Sequence, residues 1–293
     1  MKTPLNFIRT ATILAALVLS TFSCKKDGSS SQSGNDQTTI DLASSAIGAE
    51  SLYDDAFDVV AQTSEQSNVS TSSTSNPTIN STNLSVDSYT AVACAVVTLS
   101  PQDPGVFPKT MTIDYGSGCT SVNGITRKGK LTVNLTGKVR SAGSVITVSF
   151  DNYSVNGYGL TGTYSLIPVI ASGSGVNYNV TISNGSITTP SGAVYTYSGT
   201  ETFTQTAGIG TTTVTDDTYE ITGGFSYSAN GSSISGTITS PLIRSADCPN
   251  ITSGTVAFLY KGVNGVLDFG AGTCDNVATV KVGLTTKTIT LPR

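Results

Sequence analysis

The chain has 293 residues, 38% of them hydrophobic, with a formal net charge of −4 and neither histidine nor tryptophan. Without histidine, Ser-His-Asp and Cys-His catalysis and histidine-ligated metal are excluded. No basic excess, P-loop or Rossmann glycine pattern is present, so nucleic acid is not expected as a partner and no cofactor is expected.

The chain opens with Lys2 and Arg9, an apolar run from Ala11 to Phe22, and Ser23-Cys24. A basic head, a short apolar stretch and a small residue before the cut describe a secretory signal over residues 1–23. The run is shorter than the roughly 20 apolar residues that span a bilayer. Cys24 followed by Lys25-Lys26-Asp27 resembles the lipobox of bacterial lipoproteins, although Thr21 stands where leucine is usual. That resemblance implies lipidation at Cys24, hence a membrane anchor.

Residues 25–87 are mostly Ser, Thr, Asn, Gln and Asp, and carry two basic and nine acidic side chains. This composition predicts a flexible tether over 24–87. Within it Ala49, Leu52, Tyr53, Ala56, Phe57 and Val60 recur at helical steps. They predict a short amphipathic helix near 49–62 that docks on the remainder, with Glu50, Asp54, Asp55 and Asp58 on a solvated face. Residues 88–293 carry eleven basic and ten acidic side chains and are near neutral.

Two stretches of this second part share a pattern. Cys94 is followed by Asp114 and Cys119, and Cys248 by Asp268 and Cys274, with twenty positions from cysteine to aspartate both times. An even number of cysteines in an exported chain predicts disulfides; of the three possible connectivities, the repeat favours Cys94–Cys119 with Cys248–Cys274. Each loop of about 25 residues would contribute roughly 3–4 kcal/mol.

From residue 88 onward the apolar period is two. Leu131, Val133, Leu135 and Val139 alternate with Lys128, Lys130, Thr132, Asn134, Thr136, Lys138 and Arg140, which read as a wet basic face. Val176, Tyr178, Val180 and Ile182 repeat the alternation. A change of parity at Phe150-Asp151-Asn152-Tyr153 predicts a β-bulge. Asn-Gly occurs at 123–124, 156–157, 184–185, 230–231 and 264–265, the strongest short hairpin signal. The expected fold is all-β, an antiparallel meander of about 12–14 strands rolled into a two-layer sandwich or partly open barrel.

The lipobox cysteine, the acidic helix, Phe107-Pro108-Lys109-Thr110-Met111-Thr112-Ile113-Asp114-Tyr115-Gly116-Ser117-Gly118-Cys119, the Arg127-Lys128-Gly129 step and Gly272-Thr273-Cys274-Asp275-Asn276 occur together. The set resembles a large family of uncharacterised lipoproteins of Bacteroidota-type cell envelopes. The resemblance implies an outer membrane lipoprotein, at the cell surface or the periplasmic face, and adds no catalytic residue.

Three constellations bear on chemistry. A hairpin turning at 207–210 would set Glu201 opposite Asp216, a carboxylate pair suited to glycoside hydrolysis or calcium. The two Asp-aromatic-Gly-x-Gly segments, with Asp275, read as tight turns in which Asp114 and Asp268 bind local backbone N–H groups; calcium loops are the alternative. Ser198, Thr200, Thr202, Thr204 and Thr206 form a hydroxyl ladder on the wet face of one strand, with glycan as its conceivable ligand. The expectation is a non-catalytic envelope module that binds carbohydrate or scaffolds neighbouring proteins. A carboxylate hydrolase or an assembly subunit are the alternatives.

Overall fold

The structure, a computed structural model, describes residues 29–67, 69, 91, 95–103, 105–170 and 175–293. The leader, Cys24, Cys94 and most of the predicted tether beyond residue 67 lie outside them. One helix, α1 (Ser29–Gln66), precedes β1 (Val96–Ser100), β2 (Lys109–Asp114), the two-residue β3 (Cys119–Thr120), β4 (Thr126–Leu135), β5 (Ile146–Val155) and β6 (Tyr158–Ile170). There follow β7 (Val176–Thr188), β8 (Val194–Ala207), β9 (Thr218–Ala229), β10 (Ser232–Ser245), β11 (Ser253–Tyr260), β12 (Val263–Ala271), β13 (Val277–Val282) and β14 (Thr285–Thr290). Among the described residues no helix is long and apolar enough to cross a membrane.

All fourteen strands belong to one antiparallel sheet whose order follows the chain, except that β3 pairs aside with β4. Between a two-layer sandwich and an open barrel, the chain takes the continuous form: one sheet, with β1 and β14 as its two unpaired edges. Its inner face carries the predicted alternation. Leu131, Val133 and Leu135 are buried in β4, and Val176, Tyr178, Val180 and Ile182 in β7. Hydrophobic burial on one face and hydration of the other hold this register, because a one-residue slip would turn every side chain around.

The inner face closes on α1. The helix packs against β5, β6 and every strand from β9 to β14, while Tyr178 of β7 and Phe203 of β8 reach Phe57 at ring separations of 5.5 and 4.9 Å. Tyr53 stacks on Tyr197 at 5.3 Å, and Tyr197 on Phe225 at 5.7 Å. An open fourteen-stranded sheet has no second layer of its own, and α1 is the layer it buries itself against.

This corrects two expectations. The helix spans 38 residues rather than a short segment near 49–62, and the polar stretch before Glu50 belongs to it rather than to a flexible leash. Its hydroxyls are accommodated by their own backbone: Thr38, Thr39, Ser44 and Ser45 each donate to the carbonyl four residues earlier, at 2.6–2.9 Å. That back-bonding lets a Ser/Thr-rich segment stay helical. The helix is also not amphipathic in the expected sense. Ile40, Ala43, Ile47, Leu52, Ala56, Val59 and Val60 are all buried, and so are Glu50, Asp54 and Asp55. From Ala46 to Ser64, where the sheet encloses it, the helix has no exposed residue, whereas Gly34, Asn35, Gln37, Thr38, Asp41 and Ser45 before it are exposed.

The turns divide. Asn123-Gly124, Asn156-Gly157 and Asn230-Gly231 connect strands as predicted, with left-handed φ at Asn156 (49°) and Asn230 (50°). Asn184-Gly185 lies inside β7 at a register shift, and Asn264-Gly265 lies inside β12. The turn between β11 and β12 is Lys261-Gly262 instead. Gly185 is used for close approach: a Cβ there would sit 2.6 Å from the Tyr53 hydroxyl, which donates to Thr161 O at 2.8 Å. The bulge expected near Asn152 is present. Lys128 pairs with Ser154 and Lys130 with Asp151, with Gly129 the single residue opposite Asn152 and Tyr153.

Candidate functional site

The ionisable side chains of α1 gather at its centre. Asp55 accepts from Arg127 of β4 twice, Nε to Oδ2 at 3.0 Å and Nη2 to Oδ1 at 2.5 Å, and from the Tyr153 hydroxyl at 2.6 Å. Arg244 of β10 lies 2.9 Å from Asp54 and also grips Asp58. Arg293 reaches Asp58 at 2.8 Å and Asp55 at 3.4 Å. Three arginines from remote parts of the sequence thus converge on three aspartates within one turn of helix. Burial works against the charge on Asp55, but Arg127, Arg293 and Tyr153 outweigh it and hold its carboxyl down at about 2. Burial dominates at Asp54 and raises its pKa despite Arg244 and Arg293.

Glu50 and Glu201 form the second part of this core. They are 4% and 3% exposed and neighbour each other in the core. Two adjacent carboxyls away from water disfavour each other's ionisation, as burial itself does. Burial pushes Glu201 up to about 7 and, with the Glu201 charge beside it, Glu50 well above the ordinary range.

The remaining buried acid, Asp217, is held outside this network. It accepts from Gln205 at 2.6 Å and from the Tyr219 hydroxyl at 2.8 Å, with Arg140 at 3.3 Å. Burial raises it to about 6 against Arg140, Tyr219 and Gln205. Arg140, predicted on the wet basic face, is turned inward to make this pair.

The predicted Glu201–Asp216 pair is not formed. The β8–β9 register sets Glu201 opposite Gly223 and Thr204 opposite Glu220. The connection from Gly208 to Asp217 is a loop rather than a tight turn, and Asp216 lies exposed in it, accepting from Thr211 at 3.1 Å. Glu201 alternates with Thr200 and Thr202 and therefore points into the core, away from the hydroxyl ladder. Thr200 is exposed and Thr202 and Thr204 half-buried on the outer face. Thr200 borders a shallow open depression of about 290 Å³ with Ser198, Gly224 and Ser226.

The twin aspartate turns have the plain geometry. Asp114 accepts from Gly116 N and Asp268 from Gly270 N, both at 2.8 Å. Among the described residues no group of three or more His, Cys, Asp or Glu is arranged to hold a metal ion. Cys248 and Cys274 are bonded, with their Cα atoms 5.7 Å apart. Cys119 is a disulfide cysteine, while Cys94 lies outside the described residues. The equal count of twenty conceals unlike hairpins: β1 and β2 are separated by residues 101–108, β11 and β12 by Lys261 and Gly262 alone. Both cassettes are antiparallel strand pairs that end in the same aspartate turn and a disulfide cysteine; they differ in the length of the connection.

A cleft opens to solvent beside the helix. It measures about 280 Å³ and lies between α1 and one end of the curled sheet, floored by Ala49, Leu52, Ile187 and Tyr227 and rimmed by Tyr158 and Tyr195. Its lining contains hydroxyls and tyrosines but no Asp, Glu, Lys or Arg. Sequence reading missed it because its walls come from the helix, five strands, a turn and the segment after β14. No family model, curated protein or solved structure matches the chain.

Proposed function

We propose that this chain is a lipid-anchored protein of the bacterial cell envelope, an outer membrane lipoprotein held through Cys24, whose β domain is a non-catalytic module that binds neutral carbohydrate or scaffolds envelope partners. The observation that carries the reading is the outer face of the sheet. In register across successive strands stand Ser100, Thr110, Asn134, Thr147, Ser165, Thr181 and Thr200. A parallel row contains Thr98, Thr112, Thr132, Ser149, Thr163 and Ser183. Neighbouring members are about 4.8 Å apart, which makes an uncharged lattice of donors and acceptors suited to sugar hydroxyls. Of the two carboxylates a hydrolase would need together, Glu201 is buried beside Glu50 and Asp216 is exposed in the β8–β9 loop, so they do not face one another.

A glycan array probed with the purified full-length chain, with and without calcium, tests binding. The whole chain is required, because residues 29–66 form the helix on which the sheet packs. A hit on neutral glycans is expected; none on any glycan would leave the scaffold role and send the search to co-purifying envelope proteins. Cys24→Ala is expected to move the protein from the membrane to the soluble fraction, and continued retention would overturn the anchor.

A further inference from the structure

We propose that the cleft beside α1 is the seat of a single neutral sugar ring, and that Gly48 is the residue that keeps it open. The inference rests on the carbohydrate reading and goes beyond it, placing a ligand of stated size in the cleft and not on the outer face.

Three observations carry it. The first is Gly48. A glycine inside a helix costs roughly 0.5–1 kcal/mol relative to alanine, and packing does not require one here. A Cβ at this position would meet only Pro292, at 3.7 and 3.8 Å, which is ordinary contact. What glycine leaves instead is room, on the helix wall of the cleft.

The second is Tyr227. This residue is 1% exposed, lines the cleft, and its hydroxyl faces Ser45 without closing a well-formed hydrogen bond. A buried hydroxyl left incomplete in the wall of a cleft asks for an explanation. Ser44, Ser45, Thr189 and Thr290 place further hydroxyls around it.

The third is the pair of rings. Tyr195 packs on the buried Tyr227 at 5.6 Å and 58°, and the half-buried Tyr195 and Tyr158 stand on the rim with part of their rings in solvent. Tyrosine faces take the C–H side of a pyranose while its hydroxyls meet the rim. About 280 Å³ is at the small end of ligand pockets, which begin near 300 Å³; it admits one ring rather than a chain. With no cation in the lining, a uronic acid, sulfated sugar or phosphate would lose its hydration without compensation. The far wall is held in place, since Asn156 Nδ2 donates to Pro292 O at 2.8 Å and Arg293 is pinned by Asp58. A preformed wall lowers the ordering cost of binding.

Methyl glycosides of neutral hexoses and of N-acetylhexosamines, with a methyl uronate as comparison, are titrated into tyrosine-ring-labelled full-length protein and followed by NMR. Saturable shifts at Tyr158, Tyr195 and Tyr227 are expected for a neutral glycoside, about tenfold or more weaker for the uronate. Gly48→Leu, which fills the space, is expected to weaken binding by about tenfold or more, while Gly48→Ala keeps the fold and raises Tm. Should Gly48→Leu fail to fold, Ser45→Phe at the exposed rim repeats the test. Binding that survives both fillers, or that is lost instead in Thr200→Ala/Thr202→Ala, overturns the cleft and leaves carbohydrate binding on the outer face intact. Absence of any glycan binding, here and on the array, overturns both.

Discussion

Arg127 and Asp55, 72 residues apart in the chain, are joined by two parallel hydrogen bonds inside the protein, with the carboxylate wholly buried. The pair fastens β4 to α1, and a planar guanidinium fork is the side chain suited to that task. Arg127→Met leaves a buried carboxylate short of its main partner. The expected loss is about 3–5 kcal/mol of unfolding free energy, measured by urea denaturation. The double variant Arg127→Met/Asp55→Leu is expected to recover part of it. A loss below about 1 kcal/mol for the single variant, the range of exposed pairs, would show that the pair is not a fastening.

The two kinds of buried acid give stability opposite pH slopes. Asp55 is held at about 2 in the fold against an ordinary 3.8. The stability it brings is therefore complete above that ordinary value and drains as pH falls towards 2. Glu201 is pushed from 4.5 to about 7, so the fold keeps a proton that the unfolded chain has released, and stability falls as pH rises through that interval. Asp217, raised to about 6, adds to the same limb. The stability maximum is expected on the acid side of neutrality. Glu201→Gln is expected to flatten the upper limb, where one proton contributes at most about 1.4 kcal/mol per pH unit. Thermal denaturation across pH checks this; an unchanged upper limb in the variant would remove Glu201 from the account.

The Cys248–Cys274 bond closes a loop 26 residues apart in sequence. Replacing both cysteines with serine is expected to cost about 3–4 kcal/mol in the chain-entropy account. The measurement is Tm of the variant beside the parent, and equal values would make the bond dispensable.

Two glycines with the same backbone sign are expected to differ sharply. Gly129 (φ +80°) opposes the bulge, where a Cβ would lie 2.1 Å from Asn152 O; Gly124 (φ +82°) has nothing within 4 Å of that position. Gly124→Ala carries only the left-handed penalty, about 1–2 kcal/mol. Gly129→Ala must also displace backbone, and is expected to cost well above that or to prevent folding. Similar Tm values for the two would refute a tight bulge at Gly129.

The extent to which the sequence announced this structure follows the range of each signal. Alternation along β4 and β7, Asn156-Gly157 and Asn230-Gly231, and the parity change near Asn152 are encoded by neighbours in the chain, and each appears as expected. The same dipeptide at Asn184 and Asn264 shows where that logic stops. Left-handed backbone serves a bulge as well as a turn, and the choice in β7 was made by Tyr53, more than a hundred residues away, whose hydroxyl needs the space at Gly185.

The acidic helix and the candidate site depended on what surrounds them. On a helical wheel Glu50, Asp54, Asp55 and Asp58 look solvated, because a wheel contains no sheet. Glu201 likewise reads as a surface acid until the β8–β9 register turns it inward to Glu50. Local pattern was enough to decide that the chain makes strands and turns; it favoured the Cys248–Cys274 pairing among three, and the fold made that bond. Which charges are buried, which arginines neutralise them and where a cleft remains open were decided only when the sheet wrapped the helix. Burial and ion pairing belong to arrangements of distant residues, and no short window of sequence contains them.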